Sequence, residues 1–398
     1  MTIQVTIIMN SYNRFPQCLY TLYSLEFQTF DPAKMEVIFV DDASTDDSCQ
    51  LANYQPPYHF QYIRLRSNHG RSKAKNIGLQ HASGEIIIFL DAELLVEPHF
   101  IEMRYQHHLN EQTPTVATCF SHYASYTVFE KGFNHQQKLD FVSKVRPNLG
   151  KLSAHAQNAW KRLPVLTMEK VGLFEKDDFE KQSYKHVSFK KAIFPELIHI
   201  YGNDLTGFHF PWVCTFSPLS MKKTIVDEVG GFYEGFLGYG TEDWEFGYRL
   251  YKHGVKLINS PSGFVYHQEH PRNLVINNQE GIPNFLTFFK KYNDFEIAAS
   301  IFIFWLGKDW SFSNDLIKEY HQVLDDNPEP YQEFFEVMIR LLEAVLEQVI
   351  AGKGTHGLVQ ASNMDEHKWK AAQFQKEELQ KNGNYQQLSN AMDFLLSL

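Results

Sequence analysis

The sequence predicts an α/β protein, a largely parallel sheet flanked by helices, followed by a strand-free helical appendage. Two observations carry this. Over residues 1–115 short apolar runs alternate with amphipathic stretches, the pattern of strands joined by crossover helices. From Ser313 onward the strand-like runs stop, and apolar residues recur at helical spacing. At 398 residues the chain has room for roughly two or three domains.

Taken in order, Ile3 to Met9 reads as the first strand, Phe15 to Phe27 as a helix, Glu36 to Val40 as the second strand and Asp47 to Tyr54 as a short helix. Tyr58 to Leu65 follows as a strand, Ser72 to His81 as a helix and Glu85 to Leu90 as a fourth strand. A further helix opens at Pro98, since proline suits a first turn. Right-handed crossovers place the loops after these strands on one sheet edge. Residues 130–200, rich in Lys, His, Asn and Phe, show no clean period and read as an insertion or lid. Regularity resumes at Phe210-Pro211-Trp212-Val213-Cys214-Thr215-Phe216 and a helix over Lys222 to Val229, broken by Gly230-Gly231. Residues 205–275 therefore read as the second half of a domain covering 1–300.

The region 313–398 is expected to form helices over Ser313 to Leu324, Tyr331 to Ile350, Asn363 to Lys381 and Tyr385 to Leu396. Phe334, Phe335, Met338, Leu341, Leu342, Val345 and Leu346 share one face. Burial of that face against the main body is the simpler reading, and a homodimer interface is the alternative. Gly352-Lys353-Gly354-Thr355 lacks the spacing and the preceding strand of a phosphate loop and reads as a linker.

Hydrophobic content of 43% with 21% charged residues is ordinary for a globular chain. A net charge of -10 argues against nucleic acid as a partner, because that role needs a basic face. Cys18, Cys49, Cys119 and Cys214 are scattered without a CxxC pair, which fits a reducing compartment and offers no zinc spacing. The N-terminus enters a strand pattern without a signal peptide, and no apolar run approaches the ~20 residues that span a bilayer. The expectation is a cytoplasmic protein, with peripheral contact to a membrane, cell or spore surface as the alternative.

The chemistry-bearing residues gather in the loops of that one edge. Asn10-Ser11-Tyr12-Asn13-Arg14 follows the first strand, Asp41-Asp42-Ala43-Ser44-Thr45-Asp46 the second, and Asp91-Ala92-Glu93 the fourth. Each alone reads equally well as an Asx-rich turn or a solvated loop. Together they suit a nucleotide: an Asp in the second loop can accept from a pyrimidine N–H, while the first loop holds base and ribose. Two carboxylates one residue apart suit a hard divalent cation bridging a diphosphate, in the crevice beyond the strands' carboxyl ends. A fourth element, Asn68 to Gly78, puts Arg71, Lys73 and Lys75 at the start of a helix. The helix dipole disfavours cations there unless an anion is near, and a bound diphosphate would supply one. No GxGxxG follows an expected strand, which argues against a dehydrogenase. Trp212 and Trp244 could stack on sugar rings or simply fill core, and His107-His108 reads as surface.

The Tyr12-Asn13-Arg14 segment, Val40-Asp41-Asp42-Ala43-Ser44, the Arg71 to Gly78 helix and Asp91-Ala92-Glu93 resemble the nucleotide-sugar half of family 2 glycosyltransferases, which have the GT-A fold. Gly238-Tyr239-Gly240-Thr241-Glu242-Asp243-Trp244-Glu245-Phe246-Gly247-Tyr248-Arg249-Leu250 and Val265-Tyr266-His267-Gln268-Glu269-His270 are similar to the acceptor side of chondroitin-polymerase-like, polypeptide N-acetylgalactosaminyl and β-1,4-galactosyl transferases. The resemblance implies a UDP-sugar donor handled by residues 1–115, a glycan or other hydroxyl acceptor handled by 205–275, and Mn²⁺ or Mg²⁺ as cofactor.

By that resemblance Asp42 binds uracil and Arg71 serves base or diphosphate, with Asn10, Tyr12, Arg14, Asn68, Lys75, Ala92 and Trp212 completing the nucleotide-sugar set. Asp91 and Glu93 occupy the DxD positions, Glu standing where a second Asp is usual. In Glu242-Asp243 the Asp is the general base. His267 completes the metal site, with His270 as an alternative ligand. One carboxylate suffices for single displacement with inversion. A retaining transferase and a nucleotide-sugar-binding scaffold without turnover are the other readings.

Overall fold

The computed structural model describes residues 2–163, 169–192, 194–260, 264–272, 274–326, 329–383 and 385–398. Among the described residues, thirteen strands run in chain order as β1 Val5–Ser11, β2 Met35–Asp41, β3 His59–Arg64, β4 Ile86–Phe89, β5 Leu94–Val96, β6 Thr115–Thr118, β7 Ser121–Ser125, β8 Val128–Glu130, β9 Lys170–Gly172, β10 Ser188–Ala192, β11 Leu219–Lys222, β12 Lys256–Asn259 and β13 Val265–Gln268. Seven form one sheet in the order β12-β6-β11-β4-β1-β2-β3.

The expected parallel sheet is present as β4-β1-β2-β3. Ile86, Ile87, Ile88 and Phe89 are buried, as a central strand covered on both faces requires, so β4 reads as an unbroken apolar run. Beyond β4 the sheet turns mixed, because β11 runs antiparallel to both β4 and β6. Three helices expected from periodicity follow β1, β3 and β5: α1 Gln17–Glu26, α2 Arg71–His81 and α3 Phe100–Asn110. The short helix expected near Asp47 is a 3₁₀ turn over Asp47–Asn53, its first turn capped by Asp46, which accepts from the Ser48 N–H at 3.1 Å.

Residues 130–200 depart from the irregular insertion expected. They hold helices His135–Val145, Ala154–Arg162, Lys176–Glu180 and Pro195–Tyr201, together with β9 and β10. β10 joins a second sheet of order β10-β7-β13-β5, and β9 pairs with β8. Tyr126, Phe133, Phe141, Leu152, Phe174, Phe179 and Tyr184 form a core here, with Trp160 stacked on Phe141 at 5.8 Å. Elements of 3 to 11 residues are too short to show a period, and the aromatic content that looked unpatterned is the core itself.

The chain divides into two compact units. The first comprises Met1–Thr206, Trp212–Phe236 and Glu242–Leu274, so it ends earlier than residue 300; the second comprises Gly207–Pro211, Leu237–Thr241 and Val275–Leu398. Among the described residues the second unit is strand-free, with helices Trp310–Asp326, Gln332–Ile350, Glu366–Asn382 and Gln386–Ser397 close to the expected positions. Phe334, Phe335, Met338, Leu341, Leu342, Val345 and Leu346 are all buried. Helices of the same unit cover them: Phe295, on the helix Phe295–Ala299, meets Phe335 at 5.2 Å, and Gln375 accepts from the Phe334 N–H at 2.7 Å. That face is therefore satisfied inside its own unit and is not left for a second copy. No helix among the described residues is long and apolar enough to cross a membrane.

Candidate active site

β1 and β2 end in register, Ser11 opposite Asp41, so the loops that follow emerge side by side. The Asn13 N–H donates to Ser44 Oγ at 3.0 Å, the Thr45 N–H to Asn13 Oδ1 at 2.7 Å and the Phe15 N–H to Asp46 Oδ2 at 2.8 Å. Asn13 holds a left-handed φ of 55°, which Asn tolerates because its short amide finds local partners. Buried Asp41 accepts from the Ser44 N–H, the Tyr62 hydroxyl and Arg64, so it braces the loop. Asp42 accepts from the His69 and Gly70 N–H groups, both at 2.8 Å, and each carboxylate oxygen keeps a second lone pair. Asn10 is half-buried near the end of β1, Tyr12 is 46% exposed and Asn68 is exposed.

The start of α2 has a different anion from the one expected. Lys75 is buried, and its Nζ lies 2.6 Å from Asp243 Oδ1 and 3.5 Å from Glu242 Oε1, with the Phe232 ring centroid 4.7 Å away. Arg71 reaches Glu242 at 3.9 Å and Lys73 reaches Glu234 at 3.0 Å. Protein carboxylates thus answer the basic first turn, and Lys75, expected to face the donor, is committed to Glu242 and Asp243. Asn76 fastens the same helix to the Gly230-Gly231 bend, donating to the Phe232 carbonyl at 2.8 Å and accepting from the Phe232 N–H at 2.7 Å.

Glu242 and Asp243 open the helix Glu242–Lys252, where the dipole favours carboxylates. The Gly of this segment has a packing reason. A Cβ on Gly247 would lie 2.1 Å from Thr215 Oγ1 and 2.8 Å from the Trp212 carbonyl, so only glycine lets the helix approach the Pro211–Cys214 turn. Thr215 in turn donates to the Asp243 carbonyl at 2.7 Å. Burial pushes the Asp243 carboxyl up to about 6, Lys75 opposes the rise, and Glu242 and Asp91 add to it. Burial also raises Asp91, with Glu93 pushing the same way. Burial works against Glu242 too, but Lys75 and Arg71 outweigh it and hold Glu242 below its usual range.

Glu93, His267 and His270 each offer a ligand atom within 4.8 Å of the others. Two strand ends bring them together, because β13 runs antiparallel to β5 with His267 opposite Leu94. A hydrogen bond orients the His270 imidazole. His270 Nδ1 is 2.9 Å from the Pro271 carbonyl, which can only accept, so Nδ1 donates there and Nε2, 3.6 Å from Glu93 Oε1, is the nitrogen turned to the carboxylate. His267 Nδ1 faces Glu269 Oε1 at 3.5 Å, the carboxylate–imidazole arrangement that orients a ligating histidine. Burial raises the Glu93 carboxyl, but His270, Arg14 and His267 overcome it and hold Glu93 well below the usual carboxylate range. A carboxylate with two imidazoles is a donor set that fits a divalent transition cation.

The structure brings Glu93, His267 and His270 within 4.8 Å of one another and leaves Asp91 outside that cluster. Asp91 sits on the Lys75 side, its N–H donating to Ser217 Oγ at 2.8 Å. Arg14, expected at the nucleotide, has Nε 3.8 Å from Glu93 Oε1. Trp212 is fully buried, its ring edge-on to Tyr248 at 5.7 Å, and has no face for a sugar; Trp244 is half-buried. Ala92 is buried too, and only its backbone is available. His108 is not at the surface. It faces the sheet with Nε2 2.9 Å from Ser220 Oγ, and burial lowers it to about 3.

Comparison with known proteins follows the same division of the chain. Residues 6–166 match "Glycosyl transferase family 2" and residues 195–329 match "Glycosyltransferase like family 2". The chain is 27% identical to the uncharacterized glycosyltransferase YfnE of Bacillus subtilis over 68% of its own length and 66% of that protein's. It is 25% identical to a validoxylamine A glucosyltransferase of Streptomyces hygroscopicus subsp. limoneus over 67% of its own length and 52% of that protein's. The alignments therefore span about half to two thirds of these relatives. Among solved structures, TarS of Staphylococcus aureus in complex with UDP-GlcNAc aligns at a TM-score of 0.49 with 13% identity, covering 88% of this chain and 93% of that one. With residues 6–166 and 195–329 both matched to family 2 models, this protein belongs to the family 2 glycosyltransferases.

Proposed function

We propose that the chain is an inverting glycosyltransferase that uses a divalent cation and moves a sugar from UDP to a hydroxyl of a glycan or other surface acceptor. The observation that carries this reading is the Glu93-His267-His270 cluster beside the strand ends that hold the donor loops. Glu93, His267 and His270 would hold the cation, which would supply positive charge against the leaving diphosphate. Two nitrogen ligands favour Mn²⁺ over Mg²⁺, which prefers an all-oxygen shell. Asp42, with a lone pair left on each oxygen, accepts from the uracil N–H. Arg71, whose side chain is 44% exposed, meets the diphosphate. Asp243, with Oδ1 held by Lys75 and a side chain 27% exposed, takes the proton of the attacking hydroxyl. The Streptomyces relative is a glucosyltransferase, which agrees with a hexosyl donor.

The test is UDP release from a panel of UDP-sugars, with and without Mn²⁺, in wild type and His270→Ala. One donor is expected to be hydrolysed slowly and only with metal, and His270→Ala to raise the half-saturating Mn²⁺ by at least about tenfold. Absence of both release and metal-dependent UDP binding would remove the reading. Once an acceptor is found, NMR of the product should show the anomeric configuration inverted.

The raised Asp243 carboxyl makes a pH expectation. The base must be ionised to accept a proton, so kcat/KM is expected to fall about tenfold per pH unit below about 6. Protons also compete with metal at the two histidines, but that limb moves to lower pH as Mn²⁺ is raised. A limb near 6 that stays in place at saturating Mn²⁺ belongs to Asp243; one that keeps moving does not.

A further inference from the structure

Strand pairing aligns β5 with β13 only from Val96 to Leu94, and the Gln268 N–H adds one more bond, to the Glu93 carbonyl at 2.9 Å. Past that point the turn before Glu93 leaves the β5–β13 ladder, while the arm leading to His270 stays paired with β7, Gln268 opposite Ser125 and the Glu269 N–H donating to the Ser125 carbonyl at 2.9 Å. A buried polar chain from α1 then takes over. The Thr21 hydroxyl donates to the Ala92 carbonyl at 2.8 Å, immediately before Glu93. The same oxygen accepts from Gln268 Nε2 at 3.2 Å, on the residue after His267 and two before His270. Gln268 Nε2 also donates to the Gln17 carbonyl at 2.9 Å, and its Oε1 accepts from Thr127 Oγ1 at 2.7 Å.

Thr21, Thr127 and Gln268 are all fully buried. A hydroxyl has one proton and two lone pairs. Thr21 spends the proton on the arm that carries Glu93 and a lone pair on the arm that carries both histidines. The Gln17 carbonyl, 3.3 Å away, is the weaker competitor for that proton. Unpairing any member would leave a polar group without water, so the network resists displacement.

Building on the proposed metal-dependent reading, we infer that Thr21 and Gln268 are positioning residues that set the separation between Glu93 and the His267/His270 pair. They act without touching metal or substrate. Outer partners of this kind are worth about 10- to 100-fold in metal affinity where they have been tested in metalloproteins.

The experiment is Mn²⁺ titration of the full chain with UDP present, following free Mn²⁺ by its electron paramagnetic resonance signal. Thr21→Val, which keeps the volume and removes the hydroxyl, is expected to weaken Mn²⁺ binding by about tenfold. Thr21→Ser, which keeps the hydroxyl and loses the methyl, is expected to stay near wild type. If packing alone mattered, serine would be the worse replacement. Gln268→Met is the second variant, with the same expected loss should Thr21→Val not fold. Wild-type binding with unchanged affinity in Thr21→Val or Gln268→Met overturns the positioning role and leaves the metal reading standing. No Mn²⁺ binding by wild type overturns both.

Discussion

Asp243→Asn is expected to lower kcat by about 10²- to 10⁴-fold, the range that a positioned general base contributes, with UDP and Mn²⁺ binding near wild type. The amide is isosteric and still offers an oxygen to Lys75, whose ammonium lies 2.6 Å from Oδ1 in the native protein. Fold and donor site should therefore survive, and the loss should sit in the chemical step. The charge removed is also the one expected to titrate near pH 6, so the acid limb of kcat/KM should vanish together with the rate. Single-turnover kinetics alongside UDP calorimetry separates the two quantities. Near-normal turnover in this variant would remove Asp243 as the base.

The parallel half of the fold was legible because its elements obey simple periods. β4 is apolar on both faces, α2 opens after a glycine, and each loop at that edge begins where an apolar run stops. What could not be read was long-range pairing. β11 lies between β4 and β6 although about 130 residues separate it from β4, and no local pattern announces its antiparallel sense. The 130–200 region failed for a related reason. Its aromatic core is assembled from helices and strands too short to carry a period, so Phe141 and Trp160 appear unpatterned until they stack.

The site shows the same split. Asp243, Glu93 and His267 stood out through motif and strand-end position, since those features live within a few residues. Partner choice did not. Nothing local distinguishes a lysine that meets a phosphate from one that meets a carboxylate, and Lys75 finds Asp243 across 168 residues. His270 was visible as a candidate, but that it lies beside His267 and Glu93 instead of replacing His267 depends on the long-range pairing of β5 with β13. Thr21 gave no signal at all: a threonine in an amphipathic helix looks the same whether its hydroxyl caps the preceding turn or joins two strands.

Lys75→Met separates the role found for that lysine from the one its motif suggested. The change leaves buried Glu242 and half-buried Asp243 without their shared cation. Breaking such a cluster by removing one partner costs about 3–5 kcal/mol, so a large drop in the denaturation midpoint is expected. The pH dependence has a definite sign. Lys75 holds both Glu242 and Asp243 lower than burial alone would, so its removal raises both carboxyls. The added instability should be greatest where the carboxylates are ionised and should fade as pH falls and they protonate. In whatever activity survives, the acid limb of kcat/KM should move from about 6 to higher pH, because Asp243 now needs a more alkaline solution to act as a base. A lysine that served the diphosphate would behave differently. Its loss would raise the KM for donor with the limb still near 6, and stability would change little. The limb moving upward assigns Lys75 to the base, while a fixed limb with weakened donor binding assigns it to the phosphate.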